Sequence, residues 1–327
     1  MTRSSQGFPR LLGDVGGTNA RWSWQPRPGA RLERTRTLAC AEFASIDACI
    51  AQYLHLEGLP APRRAAFGIA TAVTGDRVQM TNHAWQFSIR SLQATLGVER
   101  LLVLNDFEAL AHAVPGLDAS DLRTIGGGVP VLGANLAVIG AGTGLGVSGL
   151  VADGGDGWVT VVGEGGHATL AAGNAREASL LTVLRERFDH VSAERALSGP
   201  GLLNLYEALC AVDGKTAAAL DPAEVMARGL AIGAAHDAQC GEALHTFASL
   251  LGGVAGDLAL TLGARGGVYV GGGIAPRLGS HFAKLPFRAR FEDKGRFRAY
   301  MQAIPTWVIT ADAPALIGAA RALERMS

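Results

Sequence analysis

Cysteine is scarce in this chain: four in 327 residues, Cys40, Cys49, Cys210 and Cys240, with no Cys-x-x-Cys pair and no histidine spacing that suits zinc. That excludes a zinc module and a disulfide framework, and reduced, buried thiols in a cytoplasmic protein are expected. Net charge is lacking too, because 29 Lys+Arg balance 29 Asp+Glu. No long-range attraction for nucleic acid or an anionic membrane follows, so the expected partner is a small molecule. The start, Met1 to Pro9, is polar and lacks the apolar core of a signal peptide, and export is not expected. One long stretch, Thr124 to Ala152, has no charged residue, but its nine glycines and Pro130 suit a strand, a turn and a strand better than a membrane span. Low-complexity segments and solenoid repeats are absent as well.

What is present is length and glycine. A chain of 327 residues exceeds what one hydrophobic core usually serves, so two lobes are expected, with a cleft available between them. Apolar runs such as Leu11 to Val15, Ala66 to Ala70, Leu101 to Leu104, Leu136 to Ile139 and Val268 to Val270 end in Gly or Asp and alternate with helical sequence. That pattern implies buried sheets whose carboxyl edges carry the chemistry, with Asp14 and Asp106 on one rim. A helix is expected over Ser45 to Glu57, and another begins at Asp221-Pro222-Ala223-Glu224, where Asp caps, Pro takes the first position and Glu the third. Ala243 to Leu262 has helical spacing with Gly252, Gly253 and Gly256 inside it, which points to close packing of that helix.

Three Gly-rich turns follow apolar runs: Gly13-Asp14-Val15-Gly16-Gly17-Thr18-Asn19, Gly140 to Gly146 around Thr143, and Gly271-Gly272-Gly273. Glycines at a strand end leave N–H groups uncovered, and such nests bind phosphate oxygens. Asp14 beside the first cradle suits Mg²⁺, directly or through water. Each turn alone also reads as a plain hairpin. The second turn has no GxGxxG, and the one GKT, Gly214-Lys215-Thr216, has Leu209 where a P-loop needs glycine, so neither a dinucleotide fold nor a P-loop is indicated. Asn105-Asp106 follows a strand-like run; Asp106 suits a general base or, equally simply, a cap on a helix over 107 to 114. Glu164 and His167 in Gly163-Glu164-Gly165-Gly166-His167 suit acceptors for a polyhydroxylated substrate or an ordinary surface turn, and Glu194 by itself is an unremarkable glutamate.

In this order the segments resemble the bacterial glucokinase family, ATP-dependent kinases within the actin-like, hexokinase-type ATPases. The residues that carry the resemblance include the first turn through Arg21, Met80 to Trp85, Leu104 to Phe107, Gly140 to Gly146, Gly163 to His167, Ser192 to Gly201, Gly271 to Arg277 and Phe291 to Phe297, spanning nearly the whole chain. The resemblance implies an α/β, two-lobed, ribonuclease H-like fold with a central cleft: a small lobe of residues 1–113 and 312–327 and a large lobe of 114–311. It implies phosphoryl transfer from ATP to the 6-hydroxyl of glucose, with Asp106 as general base and Asn105, Asp106, Glu164, His167 and Glu194 on the sugar. ATP would meet Gly13, Asp14, Val15, Gly16, Gly17, Thr18, Asn19, Gly142, Thr143, Gly144, Gly272 and Gly273, with Asp14 near Mg²⁺. A cytoplasmic homodimer is typical of the family. The related repressor and kinase family usually adds a zinc-binding cysteine cluster, which this sequence lacks. Ala72 stands where the family commonly has a proline before Thr74-Gly75-Asp76, so a less rigid loop is expected there. The rival readings are a kinase for another hexose or an amino sugar, an ATP-driven chaperone or filament protein, and a sugar-responsive protein without turnover.

Overall fold

The apolar runs become strands of two separate sheets in the computed structural model, which describes residues 7–81, 83–155 and 157–325. Asn82, part of the Met80 to Trp85 segment, lies outside the described residues, as do residues 1–6 of the polar start. By internal contacts the chain divides into one unit of Met1–Asp118 with Ala311–Ser327 and a second of Ala119–Thr310.

The first unit runs β1 (Arg10–Val15), β2 (Asn19–Gln25), β3 (Glu33–Ala39), α1 (Ile46–Glu57), β4 (Arg64–Ile69), β5 (Arg77–Gln79), β6 (Gln86–Ser88), α2 (Ile89–Leu96), β7 (Arg100–Asn105) and α3 (Asp106–Ala113). The second comprises β8 (Leu122–Gly126), β9 (Leu136–Ala141), β10 (Leu145–Ala152), β11 (Trp158–Val162), α4 (Ala175–Arg187), α5 (Gly199–Val212), α6 (Pro222–Leu230), α7 (Ala238–Leu262), β12 (Gly267–Gly271), α8 (Ile274–Arg277), α9 (Phe287–Glu292), α10 (Arg298–Gln302) and β13 (Thr306–Ile309). The final helix, α11 (Pro314–Arg325), belongs to the first unit.

Strand order is β3-β2-β1-β4-β7 in the first sheet and β11-β10-β9-β12-β13-β8 in the second. In both, an antiparallel three-strand meander is followed by strands added in parallel, so the second sheet repeats the first and adds β8. Period-two alternation sorts the first unit into two layers. Leu11, Val15, Trp22 and Phe67 pack with Ile50 and Tyr53 of α1 on one face, while Leu12 and Ala66 pack with Leu316, Ala319 and Leu323 of α11 on the other.

Local signals set the helix ends. Ser45 caps α1 through Ala48 N, and Asp221 with Glu224 closes both halves of a capping box at α6. The uncharged stretch from Thr124 makes β9 and β10, not a helix. Among the described residues one helix, α7, is long and apolar enough to cross a membrane by length and composition, and it is mostly buried within the second unit against α5, α6 and α9. It runs unbroken through its glycines, which let α9 approach closely: a Cβ on Gly252 would lie 2.1 Å from the Phe287 carbonyl oxygen, and one on Gly256 2.9 Å from that of Phe291.

A charged network ties α4, α5 and α7 together. Arg176 donates to both oxygens of Asp213 (2.6 and 3.0 Å) and both of Glu242 (2.8 and 3.1 Å), while Gln239 Nε2 reaches Asp213 at 2.7 Å. The Arg176 guanidinium, then Gln239, hold the Asp213 carboxyl down at about 2. A carboxyl depressed on folding adds stability that is present above its unfolded value, about 4, and lost as pH falls toward 2. Asp213→Asn is therefore expected to lower the urea midpoint at pH 7, and its difference from wild type to shrink between about pH 4 and pH 2; a constant difference across that window would refute the linkage.

Candidate active site

In the first unit, β1, β4 and β7 run parallel and end level: Asp14 pairs with Gly68, and Ile69 with Asn105. Asp14 and the start of α3 thus share one carboxyl edge. Asp14 points to the same side of β1 as Leu12, where α11 packs, and a Cβ on its pairing partner Gly68 would meet Ala109 of α3 at 2.9 Å. Burial pushes its carboxyl up, against the opposing pull of Arg21 on β2, which itself reaches Asp312 Oδ1 at 3.1 Å.

The residues from Gly13 to Asn19 do not all stand in the turn. Gly13 and Val15 lie inside β1, flanked by β2 and β4, with their backbones in the sheet. A Cβ on Gly13 would meet Trp22 at 2.5 Å and Phe67 at 2.9 Å, so this glycine is there to let those rings pack edge to face at 5.1 Å. What the turn presents is Gly16, Gly17 and Thr18, closed by Gly16 N–H on Asn19 O at 2.9 Å and braced by Cys40 N–H on Thr18 O at 2.8 Å. The conformation is a hairpin, so the plain reading of the shape and the phosphate reading of its use coexist.

At β7 the cap on α3 is Asn105, not Asp106. Asn105 Oδ1 accepts from Phe107 N at 2.9 Å and Glu108 N at 3.4 Å, and its Nδ2 donates to Thr71 O at 3.2 Å. One Nδ2 hydrogen is left for a ligand. Asp106 is the first helical residue, its Oδ1 accepting from Phe107 N at 3.0 Å. Glu108 answers the cap by accepting from the Asn105 backbone, and burial outweighs that bond and raises its carboxyl. The sequence reading passed over Glu108; the signal was the Asn-x-x-Glu spacing.

The loop with Ala72 is anchored without proline. Thr71 Oγ1 donates to Gln79 O at 3.0 Å, and Asp76 accepts from Ser88 Oγ at 2.7 Å and Arg90 N at 3.0 Å. Side-chain hydrogen bonds therefore fix both ends of a segment whose Thr71 carbonyl holds Asn105.

The second unit gathers the other residues. Ala141 pairs with Leu145, making Gly142-Thr143-Gly144 a tight hairpin with Gly142 N–H on Gly144 O at 2.8 Å. Beside it β12 ends in Gly271; Gly272, at φ 73°, could carry no Cβ, which would sit 2.4 Å from Ala141 O. Gly140 likewise yields to the Gly271 backbone at 2.3 Å. Two glycine turns are thus drawn to one sheet edge by the absence of side chains.

Glu164 and His167 bracket a single 3₁₀ turn, Gly165–His167, closed by His167 N–H on Glu164 O at 3.0 Å. Both side chains are exposed. The turn is pressed onto β10: a Cβ on Gly166 would lie 2.0 Å from Leu145 O. Glu194, in the 3₁₀ turn Ala193–Arg195, reaches the same strand, its Oε2 accepting from Leu145 N at 2.9 Å. Gly142 to Gly144, Gly272 and Gly273, Glu164, His167 and Glu194 therefore surround one end of β9 and β10.

Among the described residues no group of three or more His, Cys, Asp or Glu side chains is placed to hold a metal. Asp14 is a single carboxylate at a strand end, and it would supply one ligand to Mg²⁺, an ion that takes few protein ligands in nucleotide sites.

Comparison with known proteins gives a consistent picture. A family model described as Glucokinase matches residues 11–326. The chain is 55% identical over 324 residues to a glucokinase of Aromatoleum aromaticum, covering 99% of this chain and 97% of that one. It is 52% identical over 315 residues to a glucokinase of Chromobacterium violaceum, covering 96% and 89%. Among solved structures, a glucokinase from an Antarctic psychrotroph superimposes with a TM-score of 0.87 at 37% identity, covering 97% of this chain and 99% of that one.

Proposed function

Because this chain belongs to the glucokinase family, with the fold of the actin-like, hexokinase-type ATPases, we propose that it transfers the γ-phosphoryl group of ATP to the 6-hydroxyl of D-glucose. The observation that carries the reading is Asp106: a carboxylate at the first position of a capped helix, on the same sheet edge as Asp14. Asp106 takes the proton of the 6-hydroxyl as the oxygen forms its bond to the γ-phosphorus; the bond from that phosphorus to the bridging oxygen breaks, and ADP leaves with the electron pair. Asn105 offers its remaining N–H to the sugar. Glu164, His167 and Glu194 accept from or donate to the ring hydroxyls. Gly16, Gly17 and Thr18, with Gly142, Thr143 and Gly144, offer N–H and hydroxyl groups to the phosphates, and Gly272 and Gly273 border the nucleoside. Asp14 would hold Mg²⁺, which neutralises phosphate charge when bound. The four free, buried thiols support a reducing, cytoplasmic setting, and a homodimer is the assembly the family leads us to expect.

ADP formation from Mg²⁺·ATP is expected to depend on glucose. Turnover with mannose or an amino sugar in place of glucose would move the chain to another hexose, and sugar-independent hydrolysis would remove it from the sugar kinases. Glu164→Ala and His167→Ala are expected to raise the KM for glucose by about 10- to 100-fold and to narrow its preference over mannose, since each leaves a sugar hydroxyl unpaired. Unchanged selectivity in both variants would take these side chains off the sugar.

A further inference from the structure

The backbone around Glu194 is held by several hydrogen bonds. Its own carbonyl accepts from Ser198 Oγ at 2.9 Å, and Ser198 Oγ in turn accepts from Gly201 N at 3.0 Å as the cap of α5. Ala193 N donates to Ala168 O at 2.8 Å, tying the turn back to the strand of chain that follows His167. From this mount the segment grips the Gly142-Thr143-Gly144 hairpin at both ends. Glu194 Oε2 holds Leu145 N–H at 2.9 Å, and Gly199 N–H holds Gly142 O at 2.8 Å. The carboxylate meets the turn end-on through one oxygen, for a Cβ on Gly144 would be 2.5 Å from Oε2 and 4.0 Å from Oε1. Among the described residues Oε1 has no hydrogen-bond partner.

One carboxylate thus has an oxygen committed to the turn and an oxygen open. We infer that Glu194 is a positioning residue that couples sugar binding to nucleotide binding: a sugar hydroxyl on Oε1 locks the rotamer whose Oε2 shapes the phosphate turn. The inference rests on the sugar reading proposed above and goes beyond it, because an acceptor that served the sugar alone would have no reason to hold Leu145. A sugar that fixes the carboxylate removes an ordering cost the nucleotide would otherwise meet, and the coupling is reciprocal.

The test is calorimetric titration of the full chain with glucose and with a non-hydrolysable ATP analogue plus Mg²⁺, each alone and each with the other saturating. Wild type is expected to bind each ligand about 5-fold or more tightly in the presence of the other, within the usual range for coupled sites. Glu194→Ala is expected to bring that ratio to about 1 and also to weaken the analogue in the absence of sugar. Glu194→Gln, which keeps an acceptor for Leu145 N–H, is expected to restore analogue affinity without sugar to within about 2-fold of wild type; it guards against a variant that merely misfolds. If Glu194→Ala loses glucose affinity but binds the analogue alone as wild type does, or keeps the full ratio, the coupling role is overturned and the sugar reading stands. If wild type binds the analogue but no hexose, the sugar reading falls and takes the coupling with it.

Discussion

Asp106→Asn is expected to lower kcat by about 10²- to 10⁴-fold while glucose affinity changes by no more than a few-fold. Those limits are the usual contribution of a positioned general base. The substitution is nearly isosteric, and the geometry around it is set by other groups: Asn105 caps α3, Glu108 returns a bond to the Asn105 backbone, and the amide oxygen of an asparagine could still accept from Phe107 N. The fold of the helix start is therefore retained, and what is lost is the capacity to take a proton. Phosphoryl transfer through a loose transition state asks little of a base early in the reaction, so a fall nearer 10²-fold would point to alignment of the hydroxyl as the larger part of the work of Asp106. Steady-state kinetics with glucose and Mg²⁺·ATP, together with a direct glucose titration, separate the two effects. Turnover near that of wild type would remove Asp106 from the chemistry.

Gly318→Ala is expected to destabilise the first unit by about 3 kcal/mol, the upper end of the ordinary cost of overpacking. Helix propensity alone makes the opposite forecast, since alanine in a helix interior is favoured over glycine by about 1 kcal/mol. Packing decides. A Cβ at position 318 would stand 1.6 Å from the Ala109 carbonyl oxygen and 2.6 Å from its carbon, both backbone atoms of α3 that cannot swing aside. The two helices would have to separate, and α3 is the helix that begins with Asp106. A lowered urea midpoint accompanied by lower kcat is the expected result. A raised midpoint would mean that α11 and α3 do not approach so closely.

The elements most legible from the sequence were those whose signals are local. The Asp-Pro-x-Glu start of α6 and the serine before α1 name their own helix ends, because a capping side chain satisfies backbone groups two or three residues away. Continuous apolar runs marked β1, β4, β7, β9 and β12 for the same reason: strands largely buried in a sheet show little polar alternation to hide them. Where two adjacent residues could do one job, local reading could not choose. Asn105 and Asp106 both suit a cap, and the choice was made by Thr71, 34 positions earlier, whose carbonyl holds the Asn105 amide. The seven-residue phosphate segment was read as one motif, whereas pairing on both sides of β1 turns Gly13 and Val15 into core and leaves Gly16 to Thr18 at the surface.

The sequence by itself determined that the chain has two sheets, that their carboxyl edges carry glycine turns and carboxylates, and that the residues fall in the order found in a glucose kinase family. Those properties are written in neighbouring residues and in periodicity, which act over a few ångströms along the chain. Only the tertiary structure decided which glycines stand in open turns and which pack against neighbours, that α11 returns to brace α3, and that Glu194 holds Leu145 across 49 positions. Close packing and the pairing of buried polar groups are the reason: both depend on which segments meet in space, and neither leaves a mark at fixed spacing in the sequence.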